Sequence, residues 1–427
     1  MRLNKGAKKS NHFGCLSCFN AVVNECPSKG FITFVTMQLV EVTDVSSAKL
    51  FVQVNALINK SNPNYIQPLN SEIEDVFTTG KNKYLKYAEV KRWILLSPQK
   101  QPIGRIAAFT NQKYINKGTN YPVGGVGFFD CINDQGAANL LFDTAKQWLQ
   151  AKGMEAMDGP INIGDRDKWW GLMVEGFDRE PIYGMSFNPP YYEKLFETYG
   201  FKNYYNQYYY AMAVDQPLPD KFPERHARFK AKPGYEAKHI SIKNLDKHAE
   251  EFATVYNAAW AQHGEAKEIT KEQVLKLFNK MKPIMDERLI WFAYYKNEPI
   301  AMWINIPDIN QYFKHFKGKL GWFEKLRLLW MKQTGQCKIA TGVAFGIVPK
   351  FQALGIDAFM IYEGALLLQH KGWYDSYEMG WAGDWNPKML NIYKGLGATQ
   401  SRRMVTYRYM IDTEKTFERH PVMEYSA

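Results

Sequence analysis

The chain has 427 residues, 46% of them hydrophobic and 15% aromatic, and a formal net charge of +11. This composition excludes a disordered chain and supplies core for two or three domains, while 5 cysteines exclude a disulfide framework and make a reducing cytoplasm the expected compartment. No run of about eighteen apolar residues occurs, so no transmembrane span is expected; the positive charge admits an anionic partner such as a nucleotide cofactor, an acidic lipid or RNA.

Residues 1–36 stand apart. Four of the first nine are Lys or Arg, and Cys15, Cys18 and Cys26 follow. Cys15-x-x-Cys18 with His12 and Cys26 has the ligand types of a zinc site, yet no small folded module surrounds it. Asn20 and Asn24 break the apolar stretch that a secretory signal needs. The expectation is a flexible extension, or an upstream start ahead of Met37.

From Met37 the chain reads as folded. Residues 37–43 make a strand, and Asp44 or Ser46 caps a helix that runs to about Lys60. A proline-bearing loop leads to a short acidic helix over Ser71–Phe77. Tyr87–Leu96 and Ile103–Phe109 form a hairpin, and Gly124–Asp130 is a further strand. Asp134 caps a helix with Ala138, Leu141, Phe142, Ala145, Trp148 and Leu149 at helical spacing, ended by Gly153. Met154–Pro160 is the next strand and its exit. Gly159–Tyr192 is rich in polar and aromatic residues but weakly periodic, and a loop that long is often functional. Asn162, Asp165, Arg166, Trp169 and Glu175 are candidates to line an acceptor pocket; the alternative is that its aromatic rings pack a domain junction.

Tyr204–Val214 is a strand, and residues 215–234, with four prolines and many charges, read as a linker. Then come a strand over Ala237–Ile242, a helix over Asp246–Ala261, and another over Lys271–Met281 capped by Thr270 and Gln273. A second hairpin covers Glu287–Ile306. Asp308–Gln333 is a basic, aromatic insertion. It is read as an amphipathic helix packed on the domain with its lysines solvated; a lid over an acyl chain, a membrane-surface contact and an RNA contact are the other readings.

The second hairpin resembles the first. Pro102 and Pro299 are 197 residues apart, and so are Gly200 and Gly397. One offset at both ends argues for two copies of one fold. After the second hairpin, Lys338–Val348 is a strand ended by Pro349. Lys350 to Gly355 is a tight turn into a buried helix with Gly372 as its C-cap. Tyr374–Trp381 is a strand, and Asn386 caps a helix with Pro387 in its first turn.

These last segments resemble the GNAT superfamily of acyl-CoA-dependent N-acyltransferases. Their pyrophosphate loop reads Gln/Arg-x-x-Gly-x-Gly/Ala, against Gln352, Gly355 and Asp357 here. Their later Asn-x-x-Ala-x-x-x-Tyr-x-x-x-Gly-Phe is matched by Asn386, Met389, Tyr393, Gly397 and Ala398. Asp357, Met389 and Ala398 depart from the pattern. Most of Met37 to Ile411 is covered, at the level of motifs.

The resemblance implies an α/β (α+β) fold of two tandem GNAT-like domains. Each is a mixed, mostly antiparallel twisted sheet flanked by helices. The expected boundaries are 37–214, a linker over 215–234, and 235–427. The first copy has Asp134 where a phosphate would sit and Phe196 where the second has Tyr393, so cofactor and chemistry belong to the second. There Gly346, Ile347 and Val348 would pair with the pantetheine. Phe351, Gln352, Ala353, Leu354, Gly355 and Ile356 would cradle the pyrophosphate, with Asn386 from the later motif. Tyr393 would protonate the leaving thiolate, unless it is a core tyrosine. Glu378 or Asp384 would be the base, unless one is a solvated strand residue and the other a helix cap.

The co-substrate implied is acetyl-CoA or a longer acyl-CoA, with no metal, and the partner a small-molecule or peptide amine. Nucleic acid is not expected. Two other readings stand beside this transferase: a noncatalytic GNAT-like ligand- or partner-binding protein, and an aminoacyl-tRNA-dependent transferase. The last lacks its cue here, a long coiled-coil hairpin.

Overall fold

The computed structural model describes residues 36–112, 119–164, 166–260 and 268–423. The His12–Cys26 grouping, nearly all of the N-terminal extension and Asp165 lie outside them.

The first half of the chain holds β1 (Gln38–Glu41), α1 (Val45–Asn59), α2 (Asn70–Val76), β2 (Ala88–Leu96), β3 (Pro102–Asn111), β4 (Val123–Cys131) and α3 (Gln135–Ala151). β5 (Ala156–Gly159), β6 (Leu172–Glu175), α4 (Tyr192–Tyr199) and β7 (Lys202–Ala213) complete it. α5 (Lys221–Lys230) follows, then β8 (Tyr235–His239), α6 (Leu245–Trp260), α7 (Lys271–Met281), β9 (Ile290–Tyr295) and β10 (Glu298–Pro307). The rest is α8 (Asn310–Phe313), α9 (Trp322–Gln333), β11 (Ile339–Ile347), α10 (Ile356–Leu368), β12 (Ser376–Glu378), β13 (Ala382–Gly383), α11 (Pro387–Gly395) and β14 (Thr399–Met410).

Caps act where the sequence places them. Asp44 accepts from Ser47 N–H at 2.8 Å, and Thr270 and Gln273 form a capping box at the start of α7. On α3, Leu141, Phe142, Ala145 and Leu149 are fully buried against β2, β3 and β4. The rings of Phe142 and Phe129 stack with centroids 4.6 Å apart. Burying such a side chain stabilises the fold by about 1.5–3 kcal/mol, so the apolar face holds α3 on the sheet. A second core sits under α6 and α7, around Val255, Phe278, Phe292 and Met302.

The strands make one sheet in the order β1-β2-β3-β4-β5-β14-β7-β12-β11-β10-β9-β8, with β6 on β14 and β13 on β7. The order has the same plan from either edge, except that the halves exchange their last strands. β14 pairs with β5 of the first half, β7 with β12 of the second, and the two pair with each other from Thr399↔Ala211 to Arg408↔Lys202. Buried ion pairs tie β14 to β5 and, across β7, to β12. Arg408 grips Asp158 at 2.6 and 2.8 Å, both side chains fully buried. Arg402 donates to Glu378 at 2.9 Å.

Two expectations are corrected here. Residues 215–234 are not a bare linker: they contain α5, whose buried Phe229 packs with Phe351, Ile356 and Phe359 under the start of α10. Gly372 does not cap α10, which ends at Leu368; its φ of +64° serves the turn beyond.

Candidate active site

β11 pairs with β12 in parallel only at Ile339, Ala340 and Thr341. Beyond Thr341 the two strands part, and the gap opens into a cavity of about 1900 Å³. That exceeds the ~300–1,000 Å³ of ordinary small-molecule sites. β11 lines it with Val343, Ala344 and Phe345, and the opposite wall carries Met379, Trp381, Met389 and Tyr393. Deeper surfaces come from Ile306, Ile309 and Phe313, and from Ile182 and Met185 of the first half.

At the root of the gap a Cβ on Gly342 would lie 2.8 Å from the Tyr377 hydroxyl, so glycine permits this close approach. That hydroxyl accepts from Trp303 Nε1 at 3.0 Å and donates to Asn305 Oδ1 at 2.8 Å. Tyr393 stands in the cavity wall and donates to the Gly380 carbonyl at 2.8 Å. Burial pushes its phenol well above the ordinary value, so it stays protonated and able to donate.

The first half has the same strands without the opening. Ile161 N–H donates to Val126 O at 2.8 Å, which carries the β4–β5 contact one step further. Beyond it the Phe128 ring lies 5.0 Å from Phe77 and 6.0 Å from Trp169, centroid to centroid. Asp134 caps α3 by accepting from Ala137 N–H at 2.7 Å, which sets a carboxylate at that helix N-terminus. Phe196 is wholly buried in the α3 core.

The turn before α10 contrasts with Asp134. Gly355, at φ +95°, is the N-cap and has no side chain to occupy the helix N-terminus. No side chain caps the first N–H groups of α10, and uncapped N–H groups of this kind are the ones an anion can use. Arg225 and Arg228 of α5 border Gly355, and Arg228 donates to Leu354 O at 2.6 Å. The two arginines bring positive charge to the turn, and Asp357 in the first turn of α10 opposes it. The cradle is smaller than the sequence implies, because the N–H groups of Phe351 and Gln352 are spent on Val348 and Pro349 carbonyls. The Phe351 and Ile356 side chains belong to the core. Gly346, Ile347, Val348, Ala353 and Leu354 lie on the strand end and turn, outside the cavity lining. Asn386 lines the cavity and caps α11 by accepting from Met389 N–H at 3.2 Å.

The two proposed bases are held elsewhere. Glu378 is buried and accepts from Arg402, from Ser401 at 3.1 Å and from Arg179 at 3.3 Å. Asp384 accepts from Asn206 at 2.8 Å and Arg419 at 2.6 Å. Neither is among the cavity-lining residues. Both anchor chain segments.

The Gly159–Tyr192 segment does reach the cavity, but by other residues. Of the described members of the expected set only Arg166 lines it, joined by Asp167, Lys168 and Tyr183. Trp169 and Asn162 sit in the first half, and Glu175 pairs with Arg403 at 2.7 Å. Sequence reasoning also missed Glu72 on α2, which lines the cavity and accepts from the Tyr183 hydroxyl in a short bond. Lys168 donates to the same hydroxyl at 2.5 Å. Burial first, and Glu72 after it, push the Tyr183 phenol upward. No local pattern marks Glu72, whose partner lies 111 residues away.

Asp308 fixes this segment against the second half by accepting from Tyr183 N–H at 2.9 Å. Burial raises its carboxyl from 3.8 to about 6. A raised acid pKa means the folded state holds a proton the unfolded state has lost, so stability falls as pH rises from about 4 to about 6. Asp308→Asn removes that dependence. The stability difference between the two proteins should change by about 3 kcal/mol across this window and stay flat above it, which urea denaturation at stepped pH measures.

No protein-family model matches the chain. Over 376 residues it is 26% identical to a protein of Caulobacter vibrioides named bacterial ceramide synthase, covering 87% of this chain and 96% of that protein. Over 372 residues it is 23% identical to Protein YghO of Escherichia coli, covering 85% and 93%. Among solved structures, it is similar to a tandem GNAT protein from the clavulanic acid biosynthesis pathway. That match has a TM-score of 0.50 at 10% identity, over 88% of this chain and 99% of the other. A GCN5-related glucosamine N-acetyltransferase region of a fungal β-N-acetylglucosaminidase matches with a TM-score of 0.51 at 12% identity, over 88% of this chain and 38% of that one. The chain has the tandem GNAT-like fold expected from its motifs.

Proposed function

We propose that the protein is an acyl-CoA-dependent N-acyltransferase that moves a long acyl chain onto the amine of a long-chain amino alcohol. The observation that carries this reading is the apolar cavity of about 1900 Å³ that opens where β11 and β12 part, with Tyr393 in its wall. Its size suits two hydrocarbon chains better than an acetyl group and a small amine. The relative named ceramide synthase supports the same class, since a ceramide is an N-acylated long-chain amino alcohol.

In this reading the amine nitrogen bonds to the thioester carbonyl carbon, the C–S bond breaks, and the thiolate takes a proton from Tyr393. Backbone groups of Val343 to Val348 align the thioester. The first N–H groups of α10 hold the pyrophosphate, helped by Arg225 and Arg228. Glu72 and Asp167 are the carboxylates of the cavity wall, and they receive the acceptor's ammonium and its proton.

The test is incubation with palmitoyl-CoA and sphinganine, reading free thiol and the mass of the amide. Turnover with this pair, and at least about 10²-fold less with acetyl-CoA, is the expected result. Thiol release without an amide product, or preference for acetyl-CoA, would count against it.

A further inference from the structure

The insertion between β10 and β11 was expected to pack its apolar side inward and leave its lysines solvated. Lys317, Lys319 and Lys325 are exposed, but Lys332 is half-buried and donates to the Pro283 carbonyl at 2.7 Å, and α9 is apolar on both sides. Leu328 and Met331 are buried and hold the helix to the body of the protein. The opposite side carries Trp322, Phe323, Leu326, Leu329 and Trp330, all exposed, with Trp322 at 68% and Phe323 at 76%. At about 100° per residue these five fall within one arc of roughly 120°. Lys325 flanks the arc on one side and Arg327 on the other, both exposed. Soluble surfaces rarely gather so many large apolar side chains.

We propose that this outward face of α9 docks on an anionic lipid bilayer. Charge selects the occupant. Lys325 and Arg327 are joined by exposed Lys317 and Lys319 before the helix and Lys280 on the neighbouring α7. Two such cationic faces repel, which disfavours a second copy. A bilayer with acidic headgroups satisfies both elements: tryptophan and phenylalanine enter the interface, and the lysines meet phosphate. The helix is too short to span, so it lies in the surface.

The face is continuous with the cavity. Lys325, Leu328 and Leu329 line it, as does Leu277, which is 44% exposed. Docking therefore sets this side of the cavity against the membrane, where chains of low water solubility reside. The inference goes beyond the acyl-transfer reading and does not need it, because the test reads binding without turnover.

The test is flotation of the full chain with vesicles of phosphatidylcholine containing about 30% phosphatidylglycerol, and with phosphatidylcholine alone. Binding to the acidic vesicles that weakens with salt, a blue shift of tryptophan emission, and little binding to phosphatidylcholine are expected. The combined Trp322→Ser, Phe323→Ser and Trp330→Ser variant should lose at least about tenfold in partitioning, and Lys325→Glu with Arg327→Glu should lose a similar amount. All five sites are exposed, so melting temperature should hold. Val45→Ser, at an exposed site on α1, is the control that should change nothing. Absence of flotation, or flotation unmoved by both variants, overturns the proposal. So does a wild-type dimer that floats with neither vesicle and becomes monomeric in the triple variant, which assigns the face to a second copy.

Discussion

Tyr393→Phe lowers kcat with any acyl-CoA by at least about 10²-fold and leaves acyl-CoA binding within about twofold. The later motif places this hydroxyl in the cavity wall, and burial keeps it protonated. In the resting structure it is bonded to Gly380 O at 2.8 Å. Losing one hydrogen bond to a carbonyl costs stability about 1 kcal/mol, too little to explain such a rate effect through unfolding. Single-turnover kinetics with a saturating acceptor separates the outcomes. An unchanged rate would remove Tyr393 as the proton donor. A matching loss in acyl-CoA affinity would make it a binding group.

Arg408→Met destabilises the protein by about 3–5 kcal/mol. The substitution leaves the Asp158 carboxylate buried with its bidentate partner gone. This pair ties the last strand of the chain to β5, 250 residues earlier. Its loss weakens the strand exchange itself. Asp158→Asn in the Arg408→Met background should recover at least about 1 kcal/mol by removing the stranded charge. Urea denaturation of the two single variants and the double variant measures the cycle. Additive losses would show that the two side chains do not act as a unit.

The sequence made much of each half legible because the signals are local. Helix α3 announces itself by its spacing and by Asp134, and α7 by Thr270 and Gln273. The α10 turn shows in Gly355, and the repeat in residues set 197 apart. Strand exchange is not local. The β14 segment, with Arg402, Arg403 and Arg408, has the polarity of an edge strand, yet it sits mid-sheet because Glu378 and Asp158 neutralise two of those arginines. The Gly159–Tyr192 segment was recognisable as a site component. Which residues face the cavity was not, because no period runs through it: Tyr183 and Lys168 point in, while Trp169 fills the first half. Helix α9 is apolar on two faces, and its spacing alone could not say which one meets the protein. Glu378 and Asp384 looked available only because their arginine partners lie 24 and 35 residues further on.

The central claim is that the gap between β11 and β12 takes a CoA ester with its acyl chain in the cavity. Calorimetric titration of palmitoyl-CoA below its micellar range, beside acetyl-CoA, tests it most directly. Val343→Trp is the control, because Val343 is exposed on β11 and lines the cavity, so the added ring fills the opening without disturbing the core. The account predicts micromolar binding of palmitoyl-CoA, at least about tenfold weaker binding of acetyl-CoA, and loss of both in the variant at an unchanged melting temperature. No binding of either ester, or equal binding by Val343→Trp, would contradict it.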